Sequence, residues 1–293
     1  MLVDNAVIMA AGTSSRFVPL SYERPKALTV VRGEVLIERQ IRQLQEAGVP
    51  QVYVVTGYKA DQFAYLQDKL GVKLLHNDYY LRRNNNSSIW VARDVLRNSY
   101  LCSADNYFAE NPFMTEPDGA YYAAQYAEGE TAEWCMTEDA DGFIDSVTVG
   151  GRDAWYMLGH TFWDEAFTSA FLAILEREYA LPETAGKLWE TIYLEHLDEL
   201  KMRIRRYELG AISEFDTLDE LRAFDSTYVD DTRSQILRDV ALRLGATQAE
   251  LTGFAPIKGS TTAAEGFSFS CRGTDYTYQY ETGVLAEAAP SRA

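Results

Sequence analysis

The side chains best suited to hold a polyanion are grouped near the start of the chain. Ala10-Ala11-Gly12-Thr13-Ser14-Ser15 is a turn of small and hydroxyl residues, followed by Arg16 and then by Pro25-Lys26. Small residues let backbone N–H groups come close to phosphate oxygens, hydroxyls add donors, and an arginine and a lysine supply charge. The pattern is neither GxxxxGK[ST] nor GxGxxG. Two further groupings complement it. Asp105-Asn106 closes an apolar run, where an acid suits a Mg²⁺ ion held against phosphates, although Asp-Asn also forms turns. Asn84-Asn85-Asn86-Ser87-Ser88 puts amides and hydroxyls in one stretch. A helix cap explains one of them; contacts from Asn85, Ser87 and Ser88 to the edge of a base would explain more. Asp216 is a second candidate acid, near the end of the same pattern.

The elements that must position these residues alternate. Val7 to Ala11 reads as a first strand, Leu36 to Ala47 as an amphipathic helix stopped by Gly48, and Gln51 to Thr56 as a second strand ending in Gly57-Tyr58. A helix over Asp61 to Leu70 and a strand over Val72 to His76 follow, then a helix from Ile89 to Leu96 and a strand from Asn98 to Ala104. Short connections between alternating elements give right-handed βαβ crossovers and a mostly parallel sheet. The expected fold is α/β, a Rossmann-like mixed sheet flanked by helices. Ligands of such sheets lie beyond the carboxyl ends of the strands, which places the first loop, Gly57-Tyr58 and Asp105 around one crevice.

Strands are also expected over Gly119 to Tyr126, Ala132 to Thr137, Phe143 to Val149 and Ala154 to Phe162, with the acidic run Glu138 to Gly142 as a hairpin turn rather than a calcium loop. His160 reads as a packed residue and is left out of the chemistry. Helices follow over Asp164 to Tyr179 and Lys187 to His196, a strand over Met202 to Tyr207, and a helix over Leu218 to Phe224.

Composition limits the possible partners. The 293 residues carry a formal net charge of −17, which disfavours a nucleic-acid or anionic-membrane surface. The first loop is locally basic, and a cationic second substrate suits the rest of the field. No run approaches the ~18 apolar residues of a membrane span. The N-terminus lacks the pattern of a signal peptide, and three cysteines without a CxxC suit a reducing cytoplasm.

The opening stretch resembles the signature of nucleotidyltransferases that join a nucleoside triphosphate to a phosphorylated small molecule. Over residues 3 to 228 the sequence is similar to the bacterial CTP:phosphocholine cytidylyltransferases, through VTGYKADQFAYLQDKLGV, NNNSS, SADNYFAENPF, AEW, KLWE and EFDTLDEL in that order. The resemblance implies CTP and phosphocholine as substrates, CDP-choline and pyrophosphate as products, and Mg²⁺ bound by Asp105 and Asp216. It implies Arg16 and Lys26 on the triphosphate, and nucleotide contacts from residues 10 to 15 and from the asparagine-serine loop. Trp134 beside Glu133 and Trp189 beside Glu190 fall where the family contacts choline. Aromatic faces with a carboxylate suit a quaternary ammonium, which donates no hydrogen bonds, and Tyr107, Tyr122 and Tyr156 are candidates to complete that box. A primary ammonium, as in phosphoethanolamine or 2-aminoethylphosphonate, suits such a cage too. Rival readings are transfer to a sugar 1-phosphate and a non-catalytic nucleotide-binding regulator.

Residues 1–228 are thus expected to form the transferase and 229–293 a small appendage. Within the latter, a helix from Ser234 to Leu244 precedes PIKGSTTAAEGFSFSCRGTDYTYQYETG, which resembles the opening hairpin of a choline-kinase-like domain with Gly259-Ser260-Thr261-Thr262 as its nucleotide loop. No HxDxxxxN loop follows, so no kinase activity is expected. The appendage is read either as a vestige packed on the transferase or as a dimerisation element, which leaves a homodimer open. The residues after Gly283 are expected to fray.

Overall fold

The computed structural model describes residues 1–259 and 262–288. The chain divides into two compact units, one of Met1–Gly12 with Leu36–Glu214, the other of Thr13–Val35 with the chain from Phe215.

The first unit is built on a seven-stranded mixed sheet. In spatial order its strands are Arg203–Tyr207, Tyr121–Glu138, Ile144–Trp163, Ser99–Ser103, Asn5–Ala10, Val52–Thr56 and Lys73–His76. Asn5–Ala10 lies at the centre of a parallel run, with Val7 opposite Tyr53 on one side and Leu101 on the other. Its residues are buried almost throughout, as befits a strand covered on both faces. Ile144–Trp163 is antiparallel to both of its neighbours, and Arg203–Tyr207 is parallel to Tyr121–Glu138. Helices flank the sheet. Leu36–Glu46 buries Leu36, Ile37, Ile41 and Leu44 at helical spacing. Glu165–Glu178 is capped by Asp164, whose carboxylate accepts from the Phe167 N–H at 2.8 Å. A short antiparallel pair, Asn106–Phe108 with Ile212–Glu214, stands beside the sheet. The strands and helices expected up to Ser103 are found within a few residues. The exception is Asp61 to Leu70, which forms a 3₁₀ turn, Ala60–Phe63, and a separate helix, Tyr65–Leu70.

Two corrections concern the long hairpin. Where four strands are expected there are two, Tyr121–Glu138 and Ile144–Trp163. Gly129 at φ +76° and the accompanying shift of register bend the ladder without ending it. The expected hairpin turn is present: Asp139 accepts from the N–H groups of Asp141 and Phe143 at 2.9 Å each. A third correction concerns the asparagine-serine segment. Helix begins at Asn86 rather than Ile89, and Asn86, Ser87 and Ser88 are buried. The side chains that suggested a loop are tolerated in a helix because they are hydrogen-bonded inside the fold, as described below.

The second unit joins the Val30–Val31/Glu34–Val35 hairpin to helices Leu218–Phe224, Thr227–Asp230 and Gln235–Leu244 and to a four-stranded antiparallel sheet. Leu218–Phe224 opens on a capping box, Thr217 with Glu220. Gln235–Leu244 is capped by Ser234 and ends at Gly245 in the left-handed region. The sheet follows chain order, Leu251–Lys258, Ala264–Cys271, Thr274–Gln279 and Leu285–Glu287, and buries Phe254, Phe267, Phe269 and Tyr278. The expected fraying after Gly283 is corrected for Leu285 to Glu287, which pair with Tyr278 to Tyr276; residues 289–293 lie outside the described residues. Of the expected kinase-like loop, Ser260 and Thr261 lie outside the described residues.

The three cysteines are buried and in no disulfide. Among the described residues no helix is long and apolar enough to cross a membrane.

Candidate active site

In the first unit the central strand delivers Ala10, Ala11 and Gly12 to its carboxyl end. Gly57 closes the neighbouring strand against them. A Cβ on Gly57 would meet the Tyr80 ring at 2.8 Å and the Ala11 carbonyl at 2.9 Å, so only glycine fits. The next N–H, from Tyr58, donates to that Ala11 carbonyl at 3.0 Å. Ala11 is therefore held rigidly, while Gly12 has open space around it.

Asp105 follows Ser99–Ser103 and immediately precedes the short strand that pairs Asn106 with Glu214. Asn106 Nδ2 donates to Glu214 Oε2 at 3.3 Å. The register brings the two acids together, with a carboxylate oxygen of each within 4.8 Å of the other. Like charges this close favour a cation, and carboxylate oxygens suit a hard divalent one. This donor pair therefore fits Mg²⁺. Glu214 was not among the residues expected from sequence. Its signal was the first residue of the EFD sequence itself, an acid in a short strand two residues before Asp216.

The asparagine-serine segment is tied to the stretch Thr184 to Glu190. Asn86 Nδ2 donates to the Thr184 carbonyl at 2.9 Å, and Asn84 Nδ2 to that of Gly186 at 3.2 Å. Asn85 holds two neighbours, accepting from the Trp189 N–H at 2.7 Å and donating to Glu190 Oε2 at 3.0 Å. Ser87 and Ser88 accept from Asn77 Nδ2 at 2.9 and 3.3 Å. The polarity of this segment is thus used within the unit.

Of the six residues considered for a cation box, three come together. The Tyr122 hydroxyl donates to Glu190 Oε1 at 3.4 Å, and its ring stacks on Trp189 with centroids 5.8 Å apart and planes at 14°. Trp189 is 2% exposed and packs against Trp163, Phe171 and Tyr193, so it forms the wall behind Tyr122. Tyr156 is partly buried; burial raises its hydroxyl pKa, and the carboxylates of Glu133 and Glu214 raise it further. Trp134 is partly buried on the long hairpin, opposite Val149. Tyr107 is buried with the Arg39 guanidinium 4.8 Å over its ring, so a cation already lies on one face. His160, hydrogen-bonded to Tyr121 at 3.0 Å, is fully buried, which lowers its pKa to about 3 and keeps it neutral.

Burial pushes the Glu190 carboxyl up to about 7, against the opposing effect of its bond from Asn85. The folded value lies above the unfolded one. The stability it contributes is therefore complete below the ordinary glutamate range and lost as pH rises through about 7. Thermal melts of the unliganded protein are expected to lose on the order of 1–2 kcal/mol between pH 6 and 8 through this residue. Glu190→Gln should flatten that slope, and an unchanged slope would assign it to another group.

In the second unit the loop from Thr13 carries the two cations, and the remaining acid, Asp216, comes from the chain just after Phe215. Ser14 stands at φ +48°, and its carbonyl accepts from the Phe17 N–H at 2.9 Å, turning the chain so that Ser15 and Arg16 lie at a bend. Asp216 receives both cations, Arg16 Nη1 on Oδ2 at 2.6 Å and Lys26 Nζ on Oδ1 at 3.3 Å. Lys26 is 4% exposed and Arg16 69%, so one is built into the fold and the other free to change partner. The single carboxylate offsets one of these two positive charges.

Residues 6–149 match the family model for a MobA-like NTP transferase domain. The choline-phosphate cytidylyltransferase of Streptococcus pneumoniae is 31% identical over 220 residues, 75% of this chain and 96% of that protein. The 2-aminoethylphosphonate cytidylyltransferase of Lancefieldella rimae is 35% identical over 229 residues, 77% of this chain and 93% of that protein. A solved structure of CTP:phosphocholine cytidylyltransferase from S. pneumoniae superposes with a TM-score of 0.73 at 31% identity, covering 78% of this chain and 99% of that one.

Proposed function

Because the chain belongs to the nucleotidyltransferase family that includes these cytidylyltransferases, we propose that it makes CDP-choline and pyrophosphate from CTP and phosphocholine, with Mg²⁺, in the cytoplasm. The transferase is assigned to residues 1–228 and the appendage to 229–293. The observation that carries the choice of a cationic substrate is the grouping of Glu190 with Tyr122 and, behind it, Trp189. A carboxylate beside aromatic rings offers an ammonium both a counter-charge and a π face, the latter worth about 0.5–2 kcal/mol per ring. A sugar site would instead need amides and hydroxyls with spare valences, whereas those of the asparagine-serine segment are engaged internally.

A phosphate oxygen of the second substrate attacks the α-phosphorus of CTP in line; the bond from that phosphorus to the bridging oxygen breaks, and pyrophosphate leaves with the electron pair. The attacking oxygen is ionised near neutral pH, so no side-chain base is required. The protein's work is positioning and charge neutralisation. Backbone N–H groups from Ala10 to Ser15 cradle the triphosphate, while Arg16 and Lys26 exchange Asp216 for phosphate oxygens. Asp105 and Asp216, the latter released from its cations, would hold Mg²⁺, with Glu214 beside Asp105 as a further carboxylate. When bound, the ion would neutralise charge on the phosphates.

The 35% identity to a 2-aminoethylphosphonate enzyme supports a second reading, cytidylyl transfer to a primary ammonium. Pyrophosphate release should be measured with CTP, UTP, ATP and dTTP crossed with phosphocholine, phosphoethanolamine, 2-aminoethylphosphonate and glucose 1-phosphate. The expected result is turnover with CTP and phosphocholine above all other pairs. A preference for 2-aminoethylphosphonate would establish the second reading, and turnover with UTP and the sugar alone would overturn both.

A further inference from the structure

We propose that the appendage braces the nucleotide-binding loop, with Tyr22 and Glu23 as positioning residues for Arg16 and Lys26. The match that spans nearly all of the pneumococcal relative leaves a quarter of this chain unmatched. Within the second unit the stretch Thr13 to Val35 is held to later residues at a series of points. Thr13 Oγ1 donates to the Thr262 carbonyl at 3.1 Å. The Tyr22 ring lies flat on that of Tyr280, centroids 3.8 Å apart and planes at 8°. Glu23 accepts at both oxygens: Oε1 from Ser234 Oγ at 3.1 Å and the Ile236 N–H at 2.7 Å, Oε2 from the Gln235 N–H at 3.2 Å. Farther along, the Val30 carbonyl accepts from the Tyr228 hydroxyl at 2.7 Å and from Arg233 at 2.9 Å.

These attachments bracket the two cations. Arg16 lies between the Thr13 and Tyr22 contacts, and Lys26 between those of Glu23 and Val30. Glu23 has a physical reason to remain where it is. Three donors converge on it at the start of the ten-residue helix Gln235–Leu244, whose unpaired N–H groups and dipole favour an anion. The local hydrogen bonds of the loop are short-range turns, such as Phe17 to Ser14 and Arg24 to Leu20. They give it shape but do not fix its ends. The appendage supplies that restraint, so that the cations meet a triphosphate already in position.

The part of this inference that concerns catalysis rests on the reading of Arg16 and Lys26 as triphosphate ligands, so one arm of the test uses no substrate. In the full chain, Glu23→Ala and Tyr280→Ala are compared with the wild type and with Tyr280→Phe, which keeps the stacked ring. Amide hydrogen exchange over residues 13–28 is expected to rise in both alanine variants and to return to the wild-type level in Tyr280→Phe. Steady-state kinetics, run with whichever substrate pair the wild type turns over, should show a nucleotide KM raised about tenfold with the KM of the second substrate nearly unchanged. Tyr280→Phe should restore the nucleotide KM. Melting curves define the folded fraction, and if Glu23→Ala does not fold, Tyr280→Ala decides alone. Unchanged exchange over 13–28 would overturn the brace. Raised exchange with unaltered nucleotide KM would overturn its catalytic role. A wild type without turnover would count against the proposed reaction and leave the exchange result to judge the brace.

Discussion

Replacing Lys26 by methionine is expected to lower kcat about 10²–10³-fold, the usual cost of removing one charge that stabilises a transition state. Methionine keeps most of the volume of the buried stem, so packing around a residue only 4% exposed should survive. Lost with the ammonium is a fixed positive charge in a low-dielectric position, where it acts more strongly than in water. Asp216 keeps its 2.6 Å contact with Arg16, so the substitution leaves no stranded carboxylate. The check is single-turnover pyrophosphate release alongside a thermal melt. A melt near that of the wild type with kcat lowered less than about tenfold would move the role away from Lys26.

Asp105→Asn is expected to abolish Mg²⁺-dependent turnover while leaving the fold intact. The substitution is nearly isosteric and removes one of two carboxylate charges whose oxygens lie within 4.8 Å. Relief of that repulsion should leave the unliganded variant at least as stable as the wild type, whereas the cation loses a charged ligand. Both effects can be read by titrating MgCl₂ into the assay and into a melting experiment. The variant should lose activity at every Mg²⁺ concentration and lose any stabilisation that Mg²⁺ gives the wild type. Wild-type activation by Mg²⁺ would remove Asp105 from the metal site.

The central sheet was legible because parallel strands covered on both faces leave continuous apolar runs, as in Val7 to Ala10 and Val52 to Val55, with short connections that fix handedness. The long hairpin was not. The expected strands stop at Tyr126 and Val149, short of Gly129 and Gly150, but shifts of register in the ladder absorb both glycines. Of the site, the small-residue loop, Arg16, Lys26 and Asp216 could be picked out by type. Their mutual pairing, Asp216 between the two cations, could not, since it depends on residues 190 positions apart in the chain. Asn84 to Ser88 show the same limit from the other side. That these five polar residues are hydrogen-bonded inside the fold could not be read locally, because their partners, Asn77 and the stretch from Thr184 to Glu190, lie elsewhere in the chain. Trp189 illustrates a further ambiguity: a tryptophan beside a glutamate has the same local sequence whether its ring lines a pocket or supports one, and here it is buried behind Tyr122.

The bond from Asn85 to Glu190 spans 105 residues of chain. Closing a segment of that length carries a substantial entropic cost, which is recovered only after the intervening strands have paired. The acid that would meet the cationic substrate is therefore held in place by a contact that only the folded chain can make. A chain caught with its parallel strands formed but this clasp open would hold Glu190 in water, with the acidity of an ordinary glutamate. The ionisation of one carboxyl group thus distinguishes the closed clasp from an open one, and proton uptake near neutral pH on refolding would report its closure.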